Sequence, residues 1–142
     1  MYKKKTTIIS ACLLGIRCRY DGKEKPCQKA IELFQQGGLI PVCPEILGGL
    51  STPRTPAERQ TNKVLTKDGK DVTEQFNRGA DEALKIAQLA GATKAILKAK
   101  SPSCGYGKIY NGTFTNTQVK GNGIFAEKCR QSGIEVQTEE EL

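Results

Sequence analysis

Six cysteines and the absence of histidine are the features of this sequence that bear most directly on chemistry. The chain has 142 residues and contains no imidazole. Ser-His-Asp triads, Cys-His pairs and histidine metal ligands are therefore excluded. Acid–base chemistry must come from carboxylates, lysines, hydroxyls or water. The positions of the six thiols then decide which chemistry they could perform.

Three cysteines lie where predicted strands end. Cys12 and Cys104 come just after apolar runs, and Cys43 ends another. The carboxyl ends of parallel strands meet at one edge of a sheet, where ligands bind, so we expect the three thiols to converge. Cys18 follows the first strand in a loop and could approach the same edge.

Converging thiols without histidine favour a site for a soft metal. Four cysteines could complete a structural zinc site, whereas an iron–sulfur cluster held by three would leave one iron open to a substrate. Unrelated buried thiols are the alternative, and this is how Cys27 and Cys129, on predicted helices, are interpreted. The four candidate ligands are Cys12, Cys18, Cys43 and Cys104.

Other polar residues fall near the same predicted edge. Glu45 stands between Pro44 and a Gly-Gly turn, although a surface carboxylate is the ordinary alternative. Ser101 and Ser103 flank a proline and could equally be turn hydroxyls. The stretch "CGYGK" resembles a small anion-binding nest, and Arg54 is either a further anion ligand or a solvated side chain. The candidate substrate-binding residues are Ser103, Gly105, Lys108 and Arg54.

Strands and helices alternate along the chain. This pattern predicts a single α/β domain over 1–142: a small open, mostly parallel, Rossmann-like sheet of about four strands plus a hairpin, with helices on both faces. The predicted strands are 5–11, 39–43, 94–100 and 134–138, and the predicted helices are 25–38, 74–91 and 121–133.

The remaining segments are predicted as loops and turns. Residues 44–60 carry three prolines and two glycines and form a long loop of the kind that is often functional. The Asp68-Gly69 turn predicts a hairpin, and Thr73 is predicted to cap the helix that follows. The final "EEEL" is expected to fray.

Composition limits the partners. The chain has no 18-residue apolar run and no signal-like N-terminus, so a cytoplasmic protein without a membrane association is expected, as a monomer or weak dimer. The net charge of +7 suits a phosphorylated metabolite or RNA, although a solvated basic surface is the simpler reading. With four Tyr, four Phe and no Trp, base-stacking residues are few.

Five motifs together resemble one known family. They are similar to those of DUF523 proteins, which include the TudS-type thiouracil desulfurases, in a small single-domain form. The resemblance runs from about Thr7 to the C-terminus. The matching stretches are "SACLLGIRCRYDG" (10–22), "PVCPEILGGLSTPRTPAE" (41–58), "VLTKDGKDVTEQFNRGA" (64–80), "ILKAKSPSCG" (96–105) and "GKIYNGTF" (107–114).

The resemblance implies a [4Fe-4S] cluster with three cysteine ligands and one open iron. The implied ligands are Cys12, Cys43 and Cys104, with Cys18 as a residue that could replace one of them. The resemblance also implies that Glu45 is the catalytic acid–base residue and that Ser101 is an assisting hydroxyl.

The implied reaction is a non-redox desulfidation. Sulfur would leave thiouracil or 4-thiouridine monophosphate as hydrogen sulfide, giving the oxo-pyrimidine. The basic charge, Arg54 and the "GYGK" turn favour a phosphate on the substrate, and the small size favours a nucleotide over tRNA. The alternatives are a structural zinc or iron–sulfur protein and an RNA- or nucleotide-binding module without catalysis.

Overall fold

Eight strands and four α-helices make up the part of the chain that the structure describes. The computed structural model describes residues 6–142. The elements in chain order are β1 (Thr6–Ser10), α1 (Gln28–Gln35), β2 (Leu39–Val42), α2 (Pro44–Leu47), β3 (Ala57–Gln60), β4 (Lys63–Thr66), α3 (Thr73–Leu89), β5 (Ala92–Leu97), β6 (Lys108–Tyr110), β7 (Gln118–Lys120), α4 (Ile124–Gln131) and β8 (Glu135–Thr138).

The central sheet contains four parallel strands in the order β2-β1-β5-β8. The chain winds outward from β1 to β2 and then returns to add β5 and β8 on the other side. The crevice between β1 and β5 is therefore the point where the winding direction reverses, which is where open α/β sheets bind ligands. The predicted α/β class with a mostly parallel sheet is confirmed. The predicted first strand began at residue 5, which lies outside the described residues.

The sheet buries both of its faces, because successive strand side chains point in opposite directions. Ile8 and Ala95 belong to the larger core, together with Phe76 of α3 and Phe125 of α4. Ile9 lies in the smaller core, whose other buried members are Leu13, Ala30 of α1 and Ile96. Full burial of each large apolar side chain contributes about 1.5–3 kcal/mol. Helices therefore cover the sheet on both sides, as predicted.

The predicted loop 44–60 contains regular structure. It holds α2 and β3, and β3 pairs antiparallel with β4 around a turn at Thr61. The predicted Asp68-Gly69 hairpin is present in a short form. After the turn the chain pairs with β4 through an antiparallel bridge between Leu65 and Asp71, and backbone hydrogen bonds join Thr66 to Lys70 at 2.8 Å and Val72 to Val64 at 2.9 Å. The pairing is short because the chain enters α3 almost at once, and the β3–β4 hairpin is a further one that the sequence analysis did not predict.

Two predictions about chain ends and caps were wrong. Thr73 is the first residue of α3 rather than its cap, and its hydroxyl accepts the N–H of Val64 at 2.9 Å, joining the helix to β4. The terminal acidic segment does not fray. It forms a 3₁₀ turn over Glu139–Glu141, closed by a capping box between Thr138 and Glu141.

The segment after β5 differs most from the prediction. The strand ends at Leu97 instead of residue 100, so Cys104 lies well beyond it in a separate turn. The glycine-rich stretch that follows includes β6, which pairs with β7 in a second small hairpin. No helix within residues 6–142 has the length and apolar character needed to cross a membrane.

Candidate active site

The turn that carries Ser101 and Cys104 is held by its own hydroxyl and by α4. Ser101 Oγ accepts the N–H groups of Ser103 and Cys104, at 3.1 and 3.0 Å. The carbonyl of Ser103 in turn accepts N–H groups from the first turn of α4, and that of Pro102 accepts the N–H of Ile124. Because both accepting sites of Ser101 Oγ are used, its own O–H remains a hydrogen-bond donor.

The short helix α2 carries Glu45, begins directly after Cys43 and packs against α3. A Cβ built on Gly79 would sit 1.7 Å from the carbonyl oxygen of Pro44, and one on Gly48 would sit 2.0 Å from that of Gln75. Only glycine at these two positions allows the two backbones to come so close. Pro44 stands between Cys43 and Glu45, so this contact sets the position of both.

A cavity of about 460 Å³ opens at the carboxyl edge of the sheet. Side chains from β1, β2, α2 and the turn after β5 meet there, although they are far apart in sequence. The cavity is lined by Cys12, Cys18, Cys43, Glu45, Ser101 and Cys104. All six cysteines of the chain are free thiols, and Cys27 and Cys129 lie away from this cavity.

The four cavity thiols influence one another. The pKa of Cys43 is lowered to about 7 because the Cys18 thiol donates a hydrogen bond to it and the N–H of Ile46 lies close. The hydrogen bond between these two thiols, followed by burial, raises the pKa of Cys18. Burial, followed by the charge of Cys43, raises the pKa of Cys12 to about 11, and burial raises that of Cys104. Cys43 is thus the thiol most readily converted to thiolate, the form that binds metals.

Glu45 is fixed by Arg54. Its Oε1 accepts from Arg54 Nε at 3.2 Å and lies 3.1 Å from Nη2. The same guanidinium donates to the carbonyl of Cys18 at 2.9 Å and to Ser51 and Thr52 at 3.0 Å. Burial raises the pKa of the Glu45 carboxyl, and Arg54 opposes that effect. Every nitrogen of the guanidinium therefore already has a protein partner.

The predicted substrate-binding residues are not brought together. Arg54 lines the cavity, but its donors are committed to Glu45 and to the surrounding loops. Ser103 is fully buried behind the turn, with its hydroxyl unpartnered among residues 6–142. Gly105 is packed against Ser101 and Ile109, and Lys108 is an exposed residue of β6. The last three lie outside the cavity lining.

Several cations at the cavity were missed by sequence reasoning. Lys25 and Lys67 line it without an ion-pair partner among the described residues, and Arg19 is only loosely paired with Asp21 at 3.7 Å. Lysines scattered over separate loops give no local pattern. The only available signal was the net charge of +7, which does not say where the charges lie.

The acidic C-terminus also supports the site. Glu139 accepts from the N–H of Ala99 at 2.7 Å and from Lys98 Nζ at 2.9 Å, and both of those residues line the cavity. The backbone N–H of Lys98 donates to Ser10 Oγ, whose hydroxyl hydrogen-bonds the Cys104 sulfur. The end of the chain thus helps to hold the cavity wall beside the thiols.

Four thiols line one cavity at the switch point of the parallel sheet. This arrangement is typical of the class of α/β proteins that bind a metal cofactor through thiolates. Within residues 6–142, no three cysteine, aspartate or glutamate side chains crowd close enough to hold a single ion. Cys12, Cys18, Cys43 and Cys104 nevertheless line the same cavity. Free, convergent cysteines without competing imidazoles match the ligands that iron–sulfur clusters take, so the donor set fits such a cluster.

Comparison with known proteins identifies the family. The model of the 2-thiouracil desulfurase family matches residues 7–141, so the chain belongs to that family. The resemblance predicted from the five motifs is confirmed.

Two relatives cover nearly the whole chain. YbbK of Bacillus subtilis (strain 168), described as uncharacterized, is 42% identical over 145 residues, covering 95% of this chain and 96% of its own. A solved structure of the [4Fe-4S]-dependent thiouracil desulfidase TudS is 45% identical with a TM-score of 0.93. That match covers 98% of this chain and 93% of the other.

Proposed function

We propose that this protein is a [4Fe-4S]-dependent thiouracil desulfidase. The observation that carries the proposal is that the thiols of Cys12, Cys43 and Cys104, a fixed carboxylate and a hydroxyl donor line one cavity in a chain of the 2-thiouracil desulfurase family. The similarity to a desulfidase of known structure over almost the whole chain supports it.

The residues proposed to hold the cluster are Cys12, Cys43 and Cys104. Cys18 is assigned the role of supporting Cys43 rather than of a ligand, because its thiol hydrogen-bonds that of Cys43 and its backbone carbonyl lies 3.8 Å from Cys43 Sγ, which can donate to it. When bound, such a cluster supplies an open, thiophilic iron that acts as a Lewis acid toward a thiocarbonyl sulfur.

The protein's own side chains handle the protons. Glu45 is placed to give a proton to the pyrimidine ring nitrogen, or to take one from the attacking water, while Arg54 keeps its carboxylate in one orientation. Ser101 has only its O–H to offer, so it donates a hydrogen bond to the substrate or to that water. Positioned groups of this kind contribute about 10²–10⁴-fold in rate.

The reaction balances without electron transfer. Water adds to the ring carbon that bears sulfur, the C–S bond breaks, and the carbon keeps oxygen as a carbonyl. Sulfur leaves with two protons as hydrogen sulfide. Neither carbon nor sulfur changes its formal oxidation state, so no external reductant is needed.

The cations at the cavity favour a phosphate on the substrate. Lys25 and Lys67 line the cavity without an ion-pair partner among the described residues, and Arg19 lies beside them. These three cations can bind the phosphate of 4-thiouridine monophosphate, whereas every nitrogen of Arg54 already has a protein partner. We therefore propose a thiouracil nucleotide as a better substrate than the free base, and thiolated tRNA as a poorer one.

The test is sulfide release by protein reconstituted anaerobically with iron and sulfide. Thiouracil, 4-thiouridine monophosphate and thiolated tRNA are compared at equal concentration of the thio-base. A brown protein with labile sulfide that releases hydrogen sulfide supports the proposal. A colourless protein carrying stoichiometric zinc, or a brown protein inert toward all three substrates, contradicts it.

The ligand assignment is tested by single alanine substitutions. Cys12→Ala, Cys43→Ala and Cys104→Ala should each lose bound iron, whereas Cys18→Ala should keep most of it. Cys27→Ala is the matched control, because that half-buried thiol lies away from the cavity. Glu45→Gln should keep the cluster and lose sulfide release. Iron loss in Glu45→Gln would instead give that residue a structural role.

A further inference from the structure

The aromatic residues that line the cavity differ in the elements that hold them in place. Among residues 6–142, Tyr20, Tyr110 and Phe114 line it. Tyr20 is 43% exposed and lies against Arg19, at 5.8 Å from the guanidinium carbon to the ring centre, and Tyr110 belongs to β6. Phe114 lies in the loop 111–117 between β6 and β7, so regular strand pairing does not account for its position.

The backbone of Phe114 adopts a conformation that aromatic residues avoid. Its φ angle is 58°, in the left-handed region that is a genuine outlier for a bulky side chain. Such conformations persist where the surroundings hold them in place, and they concentrate at ligand-binding positions. Asn116 in the same loop has a φ of 57° and also lines the cavity.

Glu58 holds this loop against the other hairpin. One carboxylate oxygen, Oε1, accepts the N–H of Gly112 at 3.0 Å and the N–H of Phe114 at 3.1 Å. Gln60, on the same strand β3, donates to the carbonyl of Gly112 at 2.7 Å. A residue more than 50 positions away in sequence thus fixes the unusual turn that brings Phe114 to the cavity.

We propose that the ring of Phe114 is the stacking surface for the pyrimidine of the substrate, and that Glu58 is the positioning residue that holds it there. The inference rests on the proposed desulfidase function. A thiopyrimidine has polar edges, to which Glu45 and Ser101 can hydrogen-bond. It also has an apolar face, on which a phenyl ring can stack. Stacking of a base on one aromatic side chain corresponds to about 10- to 100-fold in affinity.

Kinetics separate stacking from simple filling of space. Phe114→Leu keeps most of the volume but removes the π face, and it should raise the KM for 4-thiouracil and 4-thiouridine monophosphate about 10-fold with unchanged iron content. Phe114→Tyr should preserve KM. Equal KM values for the Leu, Tyr and wild-type proteins would overturn the proposal, as would a KM increase in Tyr110→Leu but not in Phe114→Leu.

The role of Glu58 has its own pair of variants. Glu58→Gln retains a carbonyl oxygen that can accept both N–H groups, so its KM should stay near the wild-type value. Glu58→Ala loses the acceptor and should reproduce the KM increase of Phe114→Leu, again with full iron content. Identical KM values for Glu58→Gln and Glu58→Ala would exclude the positioning role.

A spectroscopic test is independent of turnover. The chain contains no tryptophan, so Phe114→Trp introduces one tryptophan in the cavity, and its emission can be excited selectively over that of the tyrosines. Uracil, the reaction product, should quench its emission in a saturable way in both the apo and the reconstituted protein. Phe34→Trp, in α1 and away from the cavity, is the control and should not respond.

The outcomes distinguish the two proposals. Wild-type protein that releases no sulfide disproves the desulfidase function, whatever the reporter shows. Sulfide release by the wild type, combined with a Phe114→Trp reporter that uracil does not quench, overturns the stacking role alone.

Discussion

Replacing Gly79 by alanine tests how α2 places Cys43 and Glu45. The added Cβ would lie 1.7 Å from the Pro44 carbonyl oxygen, where ordinary contacts begin at 3.4 Å, so the two helices must separate by about 1.7 Å. Alanine in mid-helix should by itself stabilise α3 by about 1 kcal/mol relative to glycine. Overpacking against backbone costs about 1–3 kcal/mol, so we expect a net loss of about 1 kcal/mol in the free energy of unfolding.

The effect on activity should exceed the effect on stability. A shift of more than 1 Å in catalytic groups costs about 100-fold in rate, so sulfide release per folded protein should fall by that factor in Gly79→Ala. Denaturant unfolding, bound iron and sulfide release are measured together.

The control is Arg78→Ala. Arg78 is the adjacent residue of the same helix and is exposed, so its replacement should leave all three measurements unchanged. A Gly79→Ala protein that is more stable than the wild type and equally active would refute the close contact between α2 and α3.

Three further substitutions probe the supports of the site. Arg54→Ala leaves the buried Glu45 carboxylate without its partner, so the free energy of unfolding should fall by about 3 kcal/mol in denaturant titrations. An unchanged free energy of unfolding would mean that the ion pair is exposed to solvent. Ser101→Ala removes the hydroxyl donor and also the acceptor of two N–H groups in the Cys104 turn, so kcat should fall about 100-fold; bound iron is measured in parallel, and an unchanged kcat would exclude the catalytic role. Glu139→Ala breaks the hydrogen bonds to Lys98 and Ala99 and should cost about 1–3 kcal/mol, measured against Glu135→Ala on the exposed side of β8.

Much of the fold was accessible from sequence because it depends on local periodicity. Apolar runs marked the four sheet strands, and the 3.6-residue spacing of alanines and Phe76 marked α3. The hairpins were harder to predict. The Asp68-Gly69 turn indicates only the short pairing that follows β4, whereas the hairpins β3–β4 and β6–β7 have short strands without an apolar run.

The supporting residues could not be predicted because their contacts join distant parts of the chain. The sequence leaves Arg54 as either an anion ligand or a solvated side chain, yet Arg54 donates to a carbonyl 36 positions away, at Cys18. Sequence spacing does not reveal which donors of a guanidinium are already satisfied. The terminal acidic turn was predicted to fray, yet Glu139 accepts a hydrogen bond from a backbone N–H 40 positions earlier.

The sequence by itself determined the family, the parallel α/β class and the cysteines available as ligands, because residue type and local pattern are sufficient for these. Only the tertiary structure decided which groups meet around the cavity. Close backbone packing at Gly79, the commitment of Arg54 to Glu45, and the hold of Glu58 on Phe114 each require two segments to come together. Such contacts depend on how the elements pack, and no local pattern in the chain specifies them.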